Sequence, residues 1–165
     1  MIFTLSELIR KPHVTFDEDV TIDSEVFKGN SRINGVKDVH VEGNGTLEGT
    51  ERFYTEFTVT GTMLCPDAIT NKEIELPLDT DCQELYSFGD EEDDGARPAV
   101  NGEVDLMPAV IDAILLEVPL QATETSEEDY PSGEGWRVIS EETYEKSRKE
   151  AIDPRLAKLK EFNQY

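Results

Sequence analysis

Between Arg52 and Leu64 apolar and polar side chains alternate with a period of two. Phe53, Thr55, Phe57, Val59, Gly61 and Met63 fall on one side; Tyr54, Glu56, Thr58, Thr60 and Thr62 fall on the other. That alternation, dense in β-branched and aromatic residues, predicts a strand with one buried face. Val36 to Val41 predicts an earlier strand, and Asn44-Gly45 behind it is a two-residue hairpin signal, because both residues tolerate positive φ. Val14, Phe16 and Val20 to Ile22 alternate more loosely. Lys72 to Leu78 and Glu84 to Phe88 predict two further strands.

Helical spacing appears in three places. Leu5, Leu8 and Ile9 predict a short helix over Thr4 to Lys11, stopped by Pro12. Asp105 to Pro119 carries Leu106, Val110 and Ile114 beside Met107, Ile111 and Leu115, a stripe that predicts a helix with Asp105 as N-cap and Pro108 in its first turn. An alternative turns Ile114 to Leu120 into strand. Ser140 predicts the N-cap of a third helix, and Asp153-Pro154 opens a fourth segment with Leu156 and Leu159 on one face. Trp136, Val138 and Ile139 suggest a last short strand. The expected architecture is α+β: an antiparallel β-sheet or partly closed barrel, one covering helix over 105–117, and a short helical C-terminus. One domain over residues 1–165 is expected, with an acidic loop at about 89–103 and a helical segment at about 140–165.

Charge changes this picture more than composition does. The chain of 165 residues holds 37 acids and 15 Lys and Arg, a net of −22. The excess is uneven: residues 81–140 alone carry a net of −14, whereas residues 141–165 are balanced. Such a field repels phosphate and anionic lipid, which excludes a general grip on DNA or RNA and docking on membranes. It attracts basic proteins. The run Asp90-Glu91-Glu92-Asp93-Asp94 is its densest point and a candidate contact for a basic partner. No run of 18 apolar residues exists, and Met1 to Pro12 lacks the apolar stretch of a signal peptide, so a cytoplasmic location is expected.

Catalytic signals are absent. His13 and His40 stand outside any nucleophile or metal motif, and no phosphate-binding glycine loop or Gly-x-Ser-x-Gly occurs. Asp90, Glu92, Asp94 and Gly95 match the opening of a calcium loop, but position 12 is Asn101 where a bidentate Glu is required. Cys65 and Cys82 have no CxxC partner for zinc. No cofactor, no metal and no enzymatic activity are expected.

Three stretches in order resemble the YceD family, the large ribosomal RNA subunit accumulation proteins. They are Val59-Thr60-Gly61-Thr62-Met63-Leu64-Cys65, the segment from Val104-Asp105-Leu106 to Val118-Pro119-Leu120, and Asp153-Pro154-Arg155-Leu156-Ala157-Lys158-Leu159-Lys160. Their order and spacing fit the family across roughly residues 1–162. Many members of that family carry Cys-x-x-Cys-like pairs after the glycine-containing strand and before the C-terminal helix. Here Cys65 stands alone and 131–136 holds no cysteine, so packing of Trp136 is expected to replace any metal.

The resemblance implies a non-enzymatic role in large-subunit biogenesis, in a family whose gene often neighbours that of a small basic ribosomal protein. With −22 charges, the expected partner is a basic ribosomal protein or assembly factor, with rRNA reached indirectly. The alternative is RNA binding through Lys146, Arg148, Lys149, Arg155, Lys158 and Lys160. Asp153, Pro154, Arg155, Lys158 and Lys160 are candidate contacts; Asp153-Pro154 also serves as a helix start, and Arg155 is the residue a helix start does not need.

Overall fold

A computed structural model describes residues 1–89 and 95–150, with the side chains of 149 and 150 left out. The chain divides into two compact units, residues 1–123 and 124–165. The first contains β1 (Ile2–Thr4), α1 (Leu5–Arg10), β2 (His13–Val20), β3 (Gly35–Glu48), β4 (Arg52–Pro66), β5 (Glu73–Ser87), β6 (Arg97–Pro98), β7 (Glu103–Asp105) and α2 (Met107–Glu117). The second contains β8 (Ser132–Gly133), β9 (Trp136–Arg137) and α3 (Glu141–Glu150).

The fold is α+β, and its centre is a five-stranded sheet in the order β2-β3-β4-β5-β6. The first three pairings are antiparallel and the last, of only two residues, is parallel. The sheet is therefore mixed and open: no pairing joins β2 to β6 among the described residues, and a closed barrel is not what forms. A separate pair, β1 with β7, sets Ile2 opposite Asp105. Neither strand is visible in the sequence pattern, because three residues are too few to show a period.

The inner face of the sheet buries Val39, Val41, Phe53, Phe57, Val59 and Met63, and α2 packs over β4 and β5 with Ala109, Val110, Ala113 and Ile114. The expected alternation in β4 is the one observed. Phe3, Phe16, Phe53 and Phe57 form a chain of tilted rings with centroids 5.7–6.4 Å apart, an arrangement worth about 0.5–1.5 kcal/mol per pair beyond burial.

Those rings explain the one misread turn. Asn44-Gly45 is not a hairpin but lies mid-strand in β3, opposite Glu56 and Thr55. A Cβ on Gly43 would strike Phe57, and one on Gly45 would strike the Phe53 ring. Gly45 leaves a gap in which the Phe53 ring lies against β3, and Gly43 lets the β4 backbone at Glu56 and Phe57 approach closely. The turn comes four residues later, at Gly49 with φ 65°. Lys72–Leu78 and Glu84–Phe88 are likewise one strand, β5. Asp79 and Asp81 interrupt its apolar run only because they point outward, opposite Thr60 and Thr58.

Helix ends follow side-chain chemistry. Thr4 and Glu7 form a reciprocal capping box on α1. Asp105 is not the N-cap of α2. Leu106 is, and Asp105 ends β7 while its carboxylate accepts from the Met107 N–H at 3.0 Å. The helix runs to Glu117, so Ile114–Leu120 does not turn to strand. Part of the predicted loop 89–103 is ordered as β6 and a Val100–Glu103 bridge around Asn101-Gly102, both at positive φ.

In the second unit the Ser140 hydroxyl accepts from the Thr143 N–H at 3.1 Å, the cap expected there. Glu127 accepts from both the Ser140 N–H and the Thr143 hydroxyl, tying its own 3-10 turn to α3. Trp136 is 58% exposed and lies over Gly133 inside the β8–β9 hairpin. It is no core residue standing in for a metal.

Candidate functional site

Asp90, Glu91, Glu92, Asp93 and Asp94, and Asp153, Pro154, Arg155, Lys158 and Lys160, lie outside the described residues. Of the proposed basic patch, Lys146 and Arg148 are described and exposed, and Lys146 is ion-paired with Glu142 at 2.7 Å, which raises its pKa.

What the structure adds is a second acidic surface. The strands of the sheet put their alternate residues outward, and cross-strand pairing sorts them into rows. One row reads Asp17, Glu42, Thr58, Asp81; the next reads Asp19, His40, Thr60, Asp79; a third reads Thr15, Asn44, Glu56, Gln83. Six carboxylates thus face out on one sheet. Around Gly43 the surface is concave, a hollow of about 600 Å³ whose walls hold Asp17, Glu42, Glu56 and Asp81 and no cation among the described residues. Thr58 donates to Asp81 at 2.7 Å and Gln83 to Glu56 at 3.0 Å, so neutral donors fix two of the four.

One imidazole of this face sits among the carboxylates. His40 Nδ1 is 2.8 Å from Asp19 and its Nε2 is 3.4 Å from Asp17. The hydrogen bond to Asp19, with Asp17 and Glu42 near, raises the imidazole pKa. Asp17, His40 and Glu42 bring ligand atoms within 4.8 Å of one another. Lys37, at the end of β3, pairs with Glu75 at 2.5 Å. The period-two spacing of Asp17, Asp19, Glu42, Glu56, Asp79 and Asp81 was available in the sequence, but only the register shows that they share a surface.

Elsewhere, acids serve structure. Asp67 is 3% exposed in the β4–β5 turn. One of its oxygens accepts from the Ile69 N–H at 2.9 Å and the Thr70 N–H at 2.8 Å; the other accepts from the Thr123 hydroxyl at 2.8 Å. The carboxylate closes the turn that follows Cys65 and ties it to the segment behind α2. Cys65 itself is buried, and burial raises the pKa of its thiol, so it is a packed side chain and a poor nucleophile. Arg97 pairs with both Glu84 oxygens, at 2.9 and 3.0 Å, and with Asp112 at 2.8 Å, stapling β6 to β5 and α2. No helix of the described residues is long and apolar enough to cross a membrane.

The described residues build an open, mixed sheet with one packed and one acidic face. The family model of the large ribosomal RNA subunit accumulation protein YceD matches residues 55–163, and the chain belongs to that family. It is 32% identical over 170 residues to the "Uncharacterized protein YlbN" of Bacillus subtilis (strain 168), covering 98% of this chain and 96% of that protein. No solved structure matches it. The family is described by an accumulation role and not by a reaction.

Proposed function

We propose that this protein acts, in the cytoplasm, in the biogenesis of the large ribosomal subunit. It binds a basic ribosomal protein or assembly factor through its acidic surface and supports rRNA accumulation without catalysis. The family description supports the pathway. The observation that carries the mode of action is the outer sheet face, where four carboxylates line a hollow that holds no cation among the described residues. Such a face accelerates encounter with a cationic protein and repels bare RNA. The acidic run 90–94 adds five negative charges to the same chain.

The test is a binding titration of the full chain against purified basic proteins of the large subunit and, in parallel, against protein-free large-subunit rRNA. Binding to at least one protein, weakening steeply with salt, supports the reading. Binding to rRNA alone, with a salt slope that shrinks when Lys158 and Lys160 become Ala, replaces it with the alternative in which the C-terminal segment grips RNA.

A further inference from the structure

The five-stranded sheet ends on β2, which pairs with β3 on one side and with no strand on the other among the described residues. The register tells which backbone groups this leaves over. The Leu47 N–H donates to the Pro12 carbonyl at 2.8 Å, one step before His13 stands opposite Thr46. Pro12 and Leu47 are thus a hydrogen-bonded pair. Bonded and non-bonded pairs alternate along an antiparallel ladder. Val14, Phe16, Glu18 and Val20 therefore turn their N–H and C=O groups toward β3. Thr15, Asp17 and Asp19 turn theirs to the open side, where no hydrogen bond from a described residue reaches those backbone groups.

An open edge is a template for another strand, and proteins blunt it with proline, lysine, a bulge or a covering element. His13–Val20 holds neither proline nor lysine and pairs with β3 in unbroken register. Its guard is negative charge: Asp17, Glu18 and Asp19 are exposed. That guard is selective. It repels a second copy of a chain of net charge −22, and any acidic segment, and it draws a basic one.

The two faces of the strand set the pattern of the guest. Asp17 and Asp19 belong to the acidic outer face, beside Glu42 and His40 of β3. Side chains of an added strand on that face stand next to both carboxylates, a place for lysine or arginine. On the inner face Val14 and Val20 are only half-buried, at the margin of the core. A neighbour there adds apolar contact. The pattern that fits is an extended segment in which cationic and apolar residues alternate.

We propose that the free edge of β2 receives an extended basic segment of the partner as a further strand of the sheet. Main-chain bonds to Thr15, Asp17 and Asp19 hold it, and its alternate lysine or arginine side chains face Asp17 and Asp19. The assignment rests on the reading that the partner is a basic protein.

The test uses the full chain and an end-blocked peptide of alternating lysine and valine. Control peptides carry glutamate for lysine, or N-methyl groups on one alternate set of residues. Amide hydrogen exchange reads the edge directly: in the free chain the Phe16 and Glu18 N–H groups should be protected and those of Thr15, Asp17 and Asp19 should not. The lysine peptide should bind saturably and protect the second set, with the glutamate peptide about tenfold weaker or worse. N-methylation of the set that faces β2 should abolish binding, and N-methylation of the other set should leave it. Thr15→Pro removes an N–H that β3 does not use, at a kind of position where edge strands tolerate proline. It should keep the fold and weaken the peptide about tenfold. Asp17→Asn with Asp19→Asn should slow association of the peptide about tenfold at low salt and leave the pattern of protected N–H groups as it was. No saturable binding, equal loss from both N-methyl sets, or binding that leaves the Asp17 and Asp19 N–H groups unprotected overturns the proposal. Protection of those groups in the free chain also overturns it, since the edge is then taken by the chain itself or by a second copy. Capture of a basic large-subunit protein without protection of the edge overturns the edge assignment and leaves the proposed function standing. Peptide binding as expected without capture of any such protein keeps the edge and removes the function.

Discussion

The outer face of the sheet and its free edge at β2 are built on opposite principles. The face is broad, open and rich in charge, yet its polar groups largely answer one another: Thr58 with Asp81, Gln83 with Glu56, His40 with Asp19. The edge is a single line of backbone groups at Thr15, Asp17 and Asp19, and no described residue answers them. Surface charge in water is screened and worth little per pair, so the face acts through its summed field on the approach of a partner. A row of N–H and C=O groups at strand spacing acts only at contact, by pairing with an extended backbone laid along it.

The severest way to break the comparison is to remove the scaffold. Phe57 is buried opposite Gly43, and its ring meets Phe16. Phe57→Ala should cost ~3–5 kcal/mol, read from chemical denaturation, and abolish both surfaces together. If either kind of binding survived at full strength in a chain so weakened, the two would not share the sheet as their support.

Asp67 offers a milder cut that touches neither surface. Asp67→Ala strands the Ile69 and Thr70 N–H groups and the Thr123 hydroxyl, for a loss of about 2–3 kcal/mol. Partner affinity should be unchanged where the variant remains folded. A fall in association rate with intact folding would mean that a buried acid contributes to the field.

Neutralising Asp17, Glu42, Glu56 and Asp81 as Asn and Gln should lower the association rate for a basic partner about tenfold at low salt and flatten its salt dependence. The dissociation rate should barely move; a large change there would show that the face makes the tight contacts and the edge does not. Thr15→Pro should do the reverse, speeding dissociation about tenfold.

The smallest effect belongs to His40. Its folded pKa stands above the ordinary 6.5, first through the hydrogen bond to Asp19. The stability it adds is therefore full below that ordinary value and is lost as pH rises through the folded one. A proton titration of the imidazole in wild type and Asp19→Asn checks this: the variant should titrate lower.

What the sequence disclosed follows from how local each cause is. The β4 alternation was legible because burial on one face repeats every second residue. So were the Ser140 cap and the stop before Pro119, which depend on neighbours within a turn. Asn44-Gly45 misled because its local preference is that of a hairpin, whereas the residues that decide its conformation, Phe53 and Phe57, stand on the next strand. β5 looked broken at Asp79 and Asp81 because outward residues carry no apolar signal. Net acidity announced the outer face in kind but not in place. The free edge of β2 gave no sign at all: it depends on which strand stands outermost in the sheet, and no spacing records that.

The order of the strands also has a temporal meaning. The meander from β2 to β5 joins strands that follow one another, so it can assemble as the chain leaves the ribosome. The pairing of Ile2 with Asp105 must instead close a loop of about a hundred residues. A nascent or clipped chain could present the meander and its free edge early, but the clasp of β1 on β7 would exist only in a finished molecule. Closure would then arrive last, as a mark of completed synthesis.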